Sequence, residues 1–473
     1  MNLRLLIVLA GGAAAVWSVR RWRTAIQLAM VLVIFEGAIR KWLLPGAQDL
    51  VYFAKDVLLL GAYVGFFKDL PRLRLRLPPL AGFYGVLLLA AVLGLLQIFN
   101  PALPNLLVGV FGFKAYFFYV PLLFIIPAAF PTDAALFQFL RRYALIAIPV
   151  GLLATAQFFS PASSPLNTYA RTTQENAYIA TFGSSTFVRV TATFPFITGY
   201  TAYLLATVIL ILALLGASRW KFKGNLLMFG ALAMTLLGML MSGSRGPVLM
   251  IAVLFPIYWW LGVIRERGGG VAFGRLLLAL SLVAGVVVVL GEDALEAFLG
   301  RSSGGAADMR SRLTSPVLSP WLLLPEAGLI GLGIGSTHQT AAALAPSQAP
   351  YSWLRGLIVE TESGRVMVEM GALGFVLVYF LRIYLALFAL RQVLTLRTRF
   401  HRAIATASFL FSLAAIPGGV IFDVTSDVYY WFFAGLLLLA VRLDREAVTA
   451  AARARAAAAR AEPEPVLVPQ EVT

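Results

Sequence analysis

The chain has no cysteine, so no disulfide can staple any loop it presents to an oxidising compartment. Histidine is nearly as scarce, with only His338 and His401. No second His, no Cys and no suitably spaced acid accompanies either one, so no metal site is expected. Charged residues are only 13% of the chain, against 60% hydrophobic residues and a mean hydropathy of +0.85. That balance excludes a soluble domain, which could not bury so much apolar surface. Two further absences matter. The apolar runs lack the alternation of barrel strands, which excludes a transmembrane β-barrel. No internal repeat and no inverted pair of broken helices is present, which argues against the common transporter plan.

What remains is a series of apolar runs of spanning length, at roughly 4–17, 24–39, 51–67, 79–99, 105–126, 142–159, 191–216, 225–241, 248–264, 274–290, 366–390, 403–421 and 428–442. They predict an all-α, polytopic membrane protein with about 13 transmembrane helices. Residues 1–446 form the membrane domain. The Ala/Arg-rich and then Pro/Glu-rich tail, 447–473, reads as a frayed helix running into disorder on the cytoplasmic side. Alternate connections are basic: Arg20, Arg21 and Arg23; Lys68, Arg72, Arg74 and Arg76; Arg141 and Arg142; Arg219, Lys221 and Lys223; Arg265 and Arg267; Arg391, Arg397, Arg399 and Arg402. The positive-inside rule makes these the cytoplasmic loops and, with an odd number of spans, puts the N-terminus outside. The net charge of +16 is then mostly topological, and nucleic acid is not an expected partner.

The opposite face holds two larger loops, about 160–190 and about 291–365. It also carries cations that the topology does not require: Arg40, Lys41, Lys55, Lys114, Arg171, Arg189, Arg245, Arg310, Arg312, Arg355 and Arg365. A snorkelling or ion-paired surface role is the ordinary account of any one of them. Arg245 stands apart because Ser242-Gly243-Ser244-Arg245-Gly246-Pro247 fixes it in a tight turn between two apolar runs, and an ionisable group there is costly without a partner. A guanidinium fork matches phosphate oxygens with two parallel hydrogen bonds. Several converging on one place would hold a diphosphate without metal, with Arg189, Arg310, Arg312, Arg40, Lys41 and Arg365 as the other candidates. Glu36 and Arg40, four residues apart, can also pair on one helix face.

Acid–base candidates are few. Glu360 and Glu362 precede the helix expected near Arg365, and Glu369 lies inside it. Either of the first two suits a general base that takes a proton from a sugar hydroxyl, and helix capping is the plainer role for Glu362. His338 follows the Gly-rich turn Gly331-Leu332-Gly333-Ile334-Gly335. That turn is a poor nucleotide site, because no strand of a βαβ unit precedes it.

The order of four pieces resembles the O-antigen ligase and O-antigen polymerase superfamily of bacterial envelope glycan enzymes. The pieces are Arg189 to Pro195 opening a helix, Ser242 to Gly246 at a helix end, Pro325 to Gly335, and Val368-Glu369-Met370-Gly371-Ala372-Leu373-Gly374. The likeness covers roughly 180–385. It implies a cofactor-free, metal-independent, inverting glycosyltransferase of the bacterial inner membrane, with its site facing the periplasm. The implied partners are the bilayer, an undecaprenyl-diphosphate-linked glycan donor and a glycan acceptor, with Arg245, Arg310 and Arg312 on the leaving diphosphate. Ligases of the family carry a histidine about eleven residues before the Gly matched by Gly371, and here that slot is Glu360. This departure favours a polymerase over the alternative of a ligase acting on a lipid A–core acceptor. A transporter or flippase of lipid-linked glycan is the rival outside enzymology.

Overall fold

A computed structural model describes residues 3–73, 75, 78, 80, 82–170, 179–182, 186–217, 222–265, 291–302, 306–349, 351–354 and 356–461, with isolated positions between 274 and 289. Among the side chains outside that description are those of residues 301–313. In chain order the helices are α1 (Leu3–Arg20), α2 (Trp22–Ala38), a π-helical turn (Ile39–Leu43), α3 (Gln48–Tyr52), α4 (Ala54–Leu73), α5 (Phe83–Gln97), α6 (Leu106–Phe117), α7 (Leu122–Ala129), α8 (Asp133–Leu145), α9 (Ala147–Phe158), α10 (Ile197–Ala217), α11 (Phe222–Met241) and α12 (Arg245–Arg265). The second half continues with α13 (Glu292–Ser302), α14 (Ala306–Ala327), α15 (Ala341–Leu344), α16 (Glu362–Thr395), α17 (Arg399–Ala415) and α18 (Val424–Ala461). Among the described residues extended pairing is limited to one isolated bridge, Thr181 to Val188.

The protein is a helical membrane protein. Among the described residues, seven helical stretches are long and apolar enough to cross a bilayer, or eight if the α6–α7 pair, bent by 42°, counts as one. Phe83–Gln97 and Asn225–Met241 are apolar but shorter, and α1 and α17 fall outside both groups. The thirteen-run expectation is therefore met in helical character but only in part by length. The run at 274–290 lies largely outside the described residues. In the C-terminal segment, helix continues to Ala461.

Short polar residues start several helices as the sequence dictates. Asn105, Thr132, Thr361 and Thr398 accept from the amides of Val108, Ala135, Gly364 and His401, satisfying groups that a helix start leaves open. α10 and the 424–443 part of α18 are buried nearly all round, which makes them the centre of the bundle, with α7, α11 and α17 packed directly against them. At the basic face His401 is fully buried and bridges Asp133 at 2.8 Å and Asp444 at 3.1 Å, tying α8, α17 and α18 together.

The element that shapes the face opposite the basic loops is α16, which is broken at Gly371 (φ 67°, ψ −173°). The break frees backbone groups on both sides of it. Segment 328–333 satisfies them: Leu332 and Gly333 N–H donate to the Val368 and Glu369 carbonyls at 2.7 and 3.1 Å, and Ala372 and Leu373 N–H donate to Gly328 and Leu329 carbonyls, both at 3.1 Å. A side chain at Gly371 would run into the Leu329 carbonyl and the Gly331 amide, so glycine is required by approach as well as by φ. The helix begins at Glu362, before the Arg365 start that the sequence suggested, because Thr361 caps it.

Candidate functional site

The π-helical turn at the end of α2 carries Arg40 and Lys41. Arg40 contacts Glu36 at 3.4 Å, and Glu36 also meets Lys55 at 2.6 Å. Asp56 pairs with Lys114 at 2.7 Å and accepts from the Tyr119 hydroxyl at 2.6 Å. Tyr52 stands among these groups: the cationic heads of Arg40, Lys55 and Lys114 lie 5.4, 4.5 and 4.8 Å from its ring centre. Three cations against two carboxylates leave a local positive excess, held partly by the face of an aromatic ring.

From Lys114 the cluster continues through aromatic contacts. Lys114 lies 5.4 Å from the Phe111 ring, and His338 meets that ring edge-on at 4.9 Å. His338 also approaches Phe422 at 6.3 Å, and Arg365 lies over Phe422 at 5.1 Å. Arg365 further donates to the Val359 carbonyl at 3.4 Å, next to Glu360. Residues from the π-helical turn after α2, from α3 and the start of α4, from α6, from just after the Gly-rich segment, from the start of α16 and from the α17–α18 connection thus form one continuous string.

His338 takes the Thr340 amide hydrogen on Nδ1 at 3.2 Å, with the Thr340 hydroxyl at 2.7 Å. An amide can only donate, so a neutral ring carries its proton on Nε2 and offers a donor there. Burial, reinforced by the Lys114 and Arg365 charges, pushes its pKa down to about 4, so the ring is neutral near pH 7. At the mouth of α18, burial raises the Asp423 carboxyl, against hydrogen bonds from Ser426.

A second group surrounds the Ser242–Arg245 turn. Arg189 donates to the Ser242 carbonyl at 3.0 Å and to the Ser244 hydroxyl at 3.1 Å. Gly243 adopts φ +63°, and a side chain on it would meet the Arg189 guanidinium and the Phe182 ring. Arg189 is thereby a strut of the turn from which Arg245 starts α12. Lys41 reaches the same segment from the other side, donating to Thr191 Oγ1 at 3.0 Å and to the Ala192 carbonyl at 2.6 Å. Ala192 holds a left-handed φ of 46°, a conformation that persists only where neighbours enforce it. Here Lys41 and Gln157, whose Oε1 accepts from the Ala192 amide at 2.7 Å, do so.

The acids divide sharply. Glu362 is buried, ion-paired with Arg382, and accepts from the Ile421 and Phe422 amides at 2.8 and 3.3 Å. Glu369 is fully buried and accepts from the Gly335 and Thr337 amides, both at 2.9 Å, and from the Thr337 hydroxyl at 2.7 Å. Each fastens a loop to α16. Glu360 is exposed just ahead of the Thr361 cap. Arg310 and Arg312 fall in the first turns of α14, with their side chains outside the described residues. Of the residues singled out in the sequence, the structure brings Arg40, His338 and Arg365 into one cluster and sets Arg189, Arg245 and Lys41 around another.

Sequence reasoning passed over Tyr52, Phe422 and Arg382, and counted Lys114 only as one outer cation. An arginine in the middle of the 366–390 apolar run is a costly event, and that signal pointed to Arg382. Among the described residues no group of three or more His, Cys, Asp or Glu side chains suits a metal ion. No protein-family model matches this chain, and no curated protein matches it in sequence.

Proposed function

We propose that this chain is a membrane glycan polymerase. It transfers an undecaprenyl-diphosphate-linked oligosaccharide to a hydroxyl of an acceptor glycan, with inversion and without metal. In this reading all of the roughly thirteen apolar runs cross the bacterial inner membrane, and the clusters above face the periplasm. The observation that carries it is the string Arg40–Tyr52–Lys114–Phe111–His338–Phe422–Arg365, a cationic and aromatic surface assembled from five separated stretches of chain. The braced Arg245 turn supports it from a second place.

The chemistry needs stabilisation of two growing charges. Breaking the anomeric bond leaves oxocarbenium character on the sugar and negative charge on the diphosphate. Preplaced cations stabilise that anion most where water is excluded. Arg40, Lys114, Arg365 and Arg245 take this role, and His338, with its proton on Nε2, adds a neutral donor. The acceptor hydroxyl attacks from the opposite face with general-base help. Glu362 and Glu369 have their oxygens committed, so Glu360 is the base in this mechanism.

Purified protein in nanodiscs, given polyprenyl-diphosphate-linked repeat units, tests the proposal. Glycan longer than one repeat, formed equally with and without EDTA, is the expected result. A strict magnesium or manganese requirement would overturn the metal-free reading. Movement of the lipid-linked glycan between leaflets without any chain growth would replace the enzyme by a transporter.

A further inference from the structure

Helix α14 carries charge at its start and holds Pro316, Pro320 and Pro325 in its body, and it is not among the helices apolar enough to span. Yet one of its faces is strongly apolar and uncovered. Val317, Leu318, Trp321 and Leu322 recur at the i, i+1, i+4, i+5 spacing that puts them on one side of a helix. All four are exposed, Trp321 by 63% and Leu322 by 77%, and Leu329 and Ile330 extend the patch past the helix end. The other side of α14 is accounted for: Ser319 accepts from the Thr361 hydroxyl at 2.9 Å, Pro320 and Ala327 are buried, and Leu323 lies close to Gly364.

The neighbouring helix indicates what covers the free side. Beyond Gly371, α16 exposes Leu373, Val376, Phe380, Ile383, Leu387 and Leu394. At the 1.5 Å rise of a helix this stripe is about 32 Å long, close to the roughly 30 Å hydrocarbon thickness of a bilayer. It is the lipid-facing side of a span. Its first residue, Leu373, donates its amide to the Leu329 carbonyl at 3.1 Å, so the α14 patch joins the lipid stripe at its outer edge without a gap.

We infer that α14 lies in the outer membrane–water interface, with its Val317–Leu318–Trp321–Leu322 face in the hydrocarbon of the bilayer. Three features fit this occupant: exposed large apolar side chains gathered on the face turned away from α16, a tryptophan of the kind that gathers at bilayer interfaces, and continuity with a spanning stripe. The prolines suit a helix that follows a surface, since each removes one rung of the backbone ladder and allows a bend. The outer segment 306–327 is thus a membrane-surface element fixed to α16 and does not stand free in solvent.

The absence of native cysteine makes the test direct. Single cysteines at Leu318, Leu322, Ser319 and Leu323 are spin-labelled in the full chain, in nanodiscs of phosphatidylethanolamine and phosphatidylglycerol. Collisional accessibility is read with molecular oxygen and with a water-soluble nickel chelate. Val376→Cys serves as the lipid reference and Gln348→Cys as the water reference. The expected result is oxygen access and nickel protection at 318 and 322, matching 376, with 319 and 323 shielded from both. Nickel access at 318 and 322 equal to that at 348 overturns the inference in favour of a free aqueous surface. Shielding of 318 and 322 from both reagents overturns it in favour of a second copy or a protein partner. Reading two positions on each face keeps the periodicity interpretable should one label perturb packing.

Discussion

Glu360 and Glu362 are two residues apart, and their replacement by glutamine should fail for different reasons. Glu362 neutralises Arg382 and receives two backbone amides while buried. Glutamine removes the charge and turns an NH₂ toward either the guanidinium or the amides, leaving Arg382 with the Ala415 carbonyl at 3.0 Å as its remaining acceptor. Breaking a buried pair from one side costs about 3–5 kcal/mol, a large share of the roughly 5–15 kcal/mol that holds a typical domain together. Glu360 is exposed, so Glu360→Gln should change stability by no more than about 0.5 kcal/mol. Its effect belongs on the reaction barrier, where loss of general-base help slows turnover by about 10²–10⁴-fold. The assay is thermal unfolding of purified protein, followed by size-exclusion profile, alongside chain extension per folded molecule. Glu362→Gln should melt early, and adding Arg382→Leu should recover much of the loss, because an apolar replacement leaves no orphaned charge. The reasoning is refuted if Glu362→Gln melts like the parent while its turnover per folded molecule collapses, since Glu362 would then act in the chemistry.

Arg245→Lys keeps the charge and loses the fork, and should leave only a trace of activity, with Arg245→Ala leaving none. Arg189→Ala should reduce activity through misplacement of the turn, and normal extension by either alanine variant would remove that cluster from the site. For His338 the folded pKa of about 4 lies below the ordinary value of 6.5, so its contribution to stability is complete above pH 6.5. As pH falls from 6.5 to 4 the unfolded chain takes up a proton that the folded ring refuses, and up to about 3 kcal/mol of stability is lost. His338→Asn should flatten that limb of the stability–pH curve, and an unchanged limb would assign it to other groups.

The helical class was legible because each apolar run is long and unalternating, and the cations away from the basic loops stood out because the positive-inside rule asks for none there. Pairings were not. Lys114 sits inside an apolar run, and nothing local reveals that Asp56, dozens of residues earlier, waits for it. The Gly331–Gly335 turn read as a weak nucleotide signature, whereas it lies against α16 with its amides on Glu369. The motif around Gly371 was visible as a motif, yet its meaning as a helix break needs segment 328–333 beside it, a contact no periodicity encodes. Arg189 was visible as a cation ahead of a helix, but its work on the Ser242 carbonyl depends on how two loops meet.

The break at Gly371 also limits how the outer loop can vary in length. Segment 328–333 closes four backbone hydrogen bonds across the interruption, at the outer edge of the lipid-facing stripe. An insertion or deletion there would slide the register and strand several of those groups away from water, each at a cost of about 2–7 kcal/mol. The connection from 346 to 349, an exposed turn beyond the short α15, carries no such duty. Length changes, fused tags or inserted domains should therefore be tolerated at 346–349 and rejected between Gly328 and Gly335, so a loop that looks uniform in sequence has one rigid limb and one permissive one.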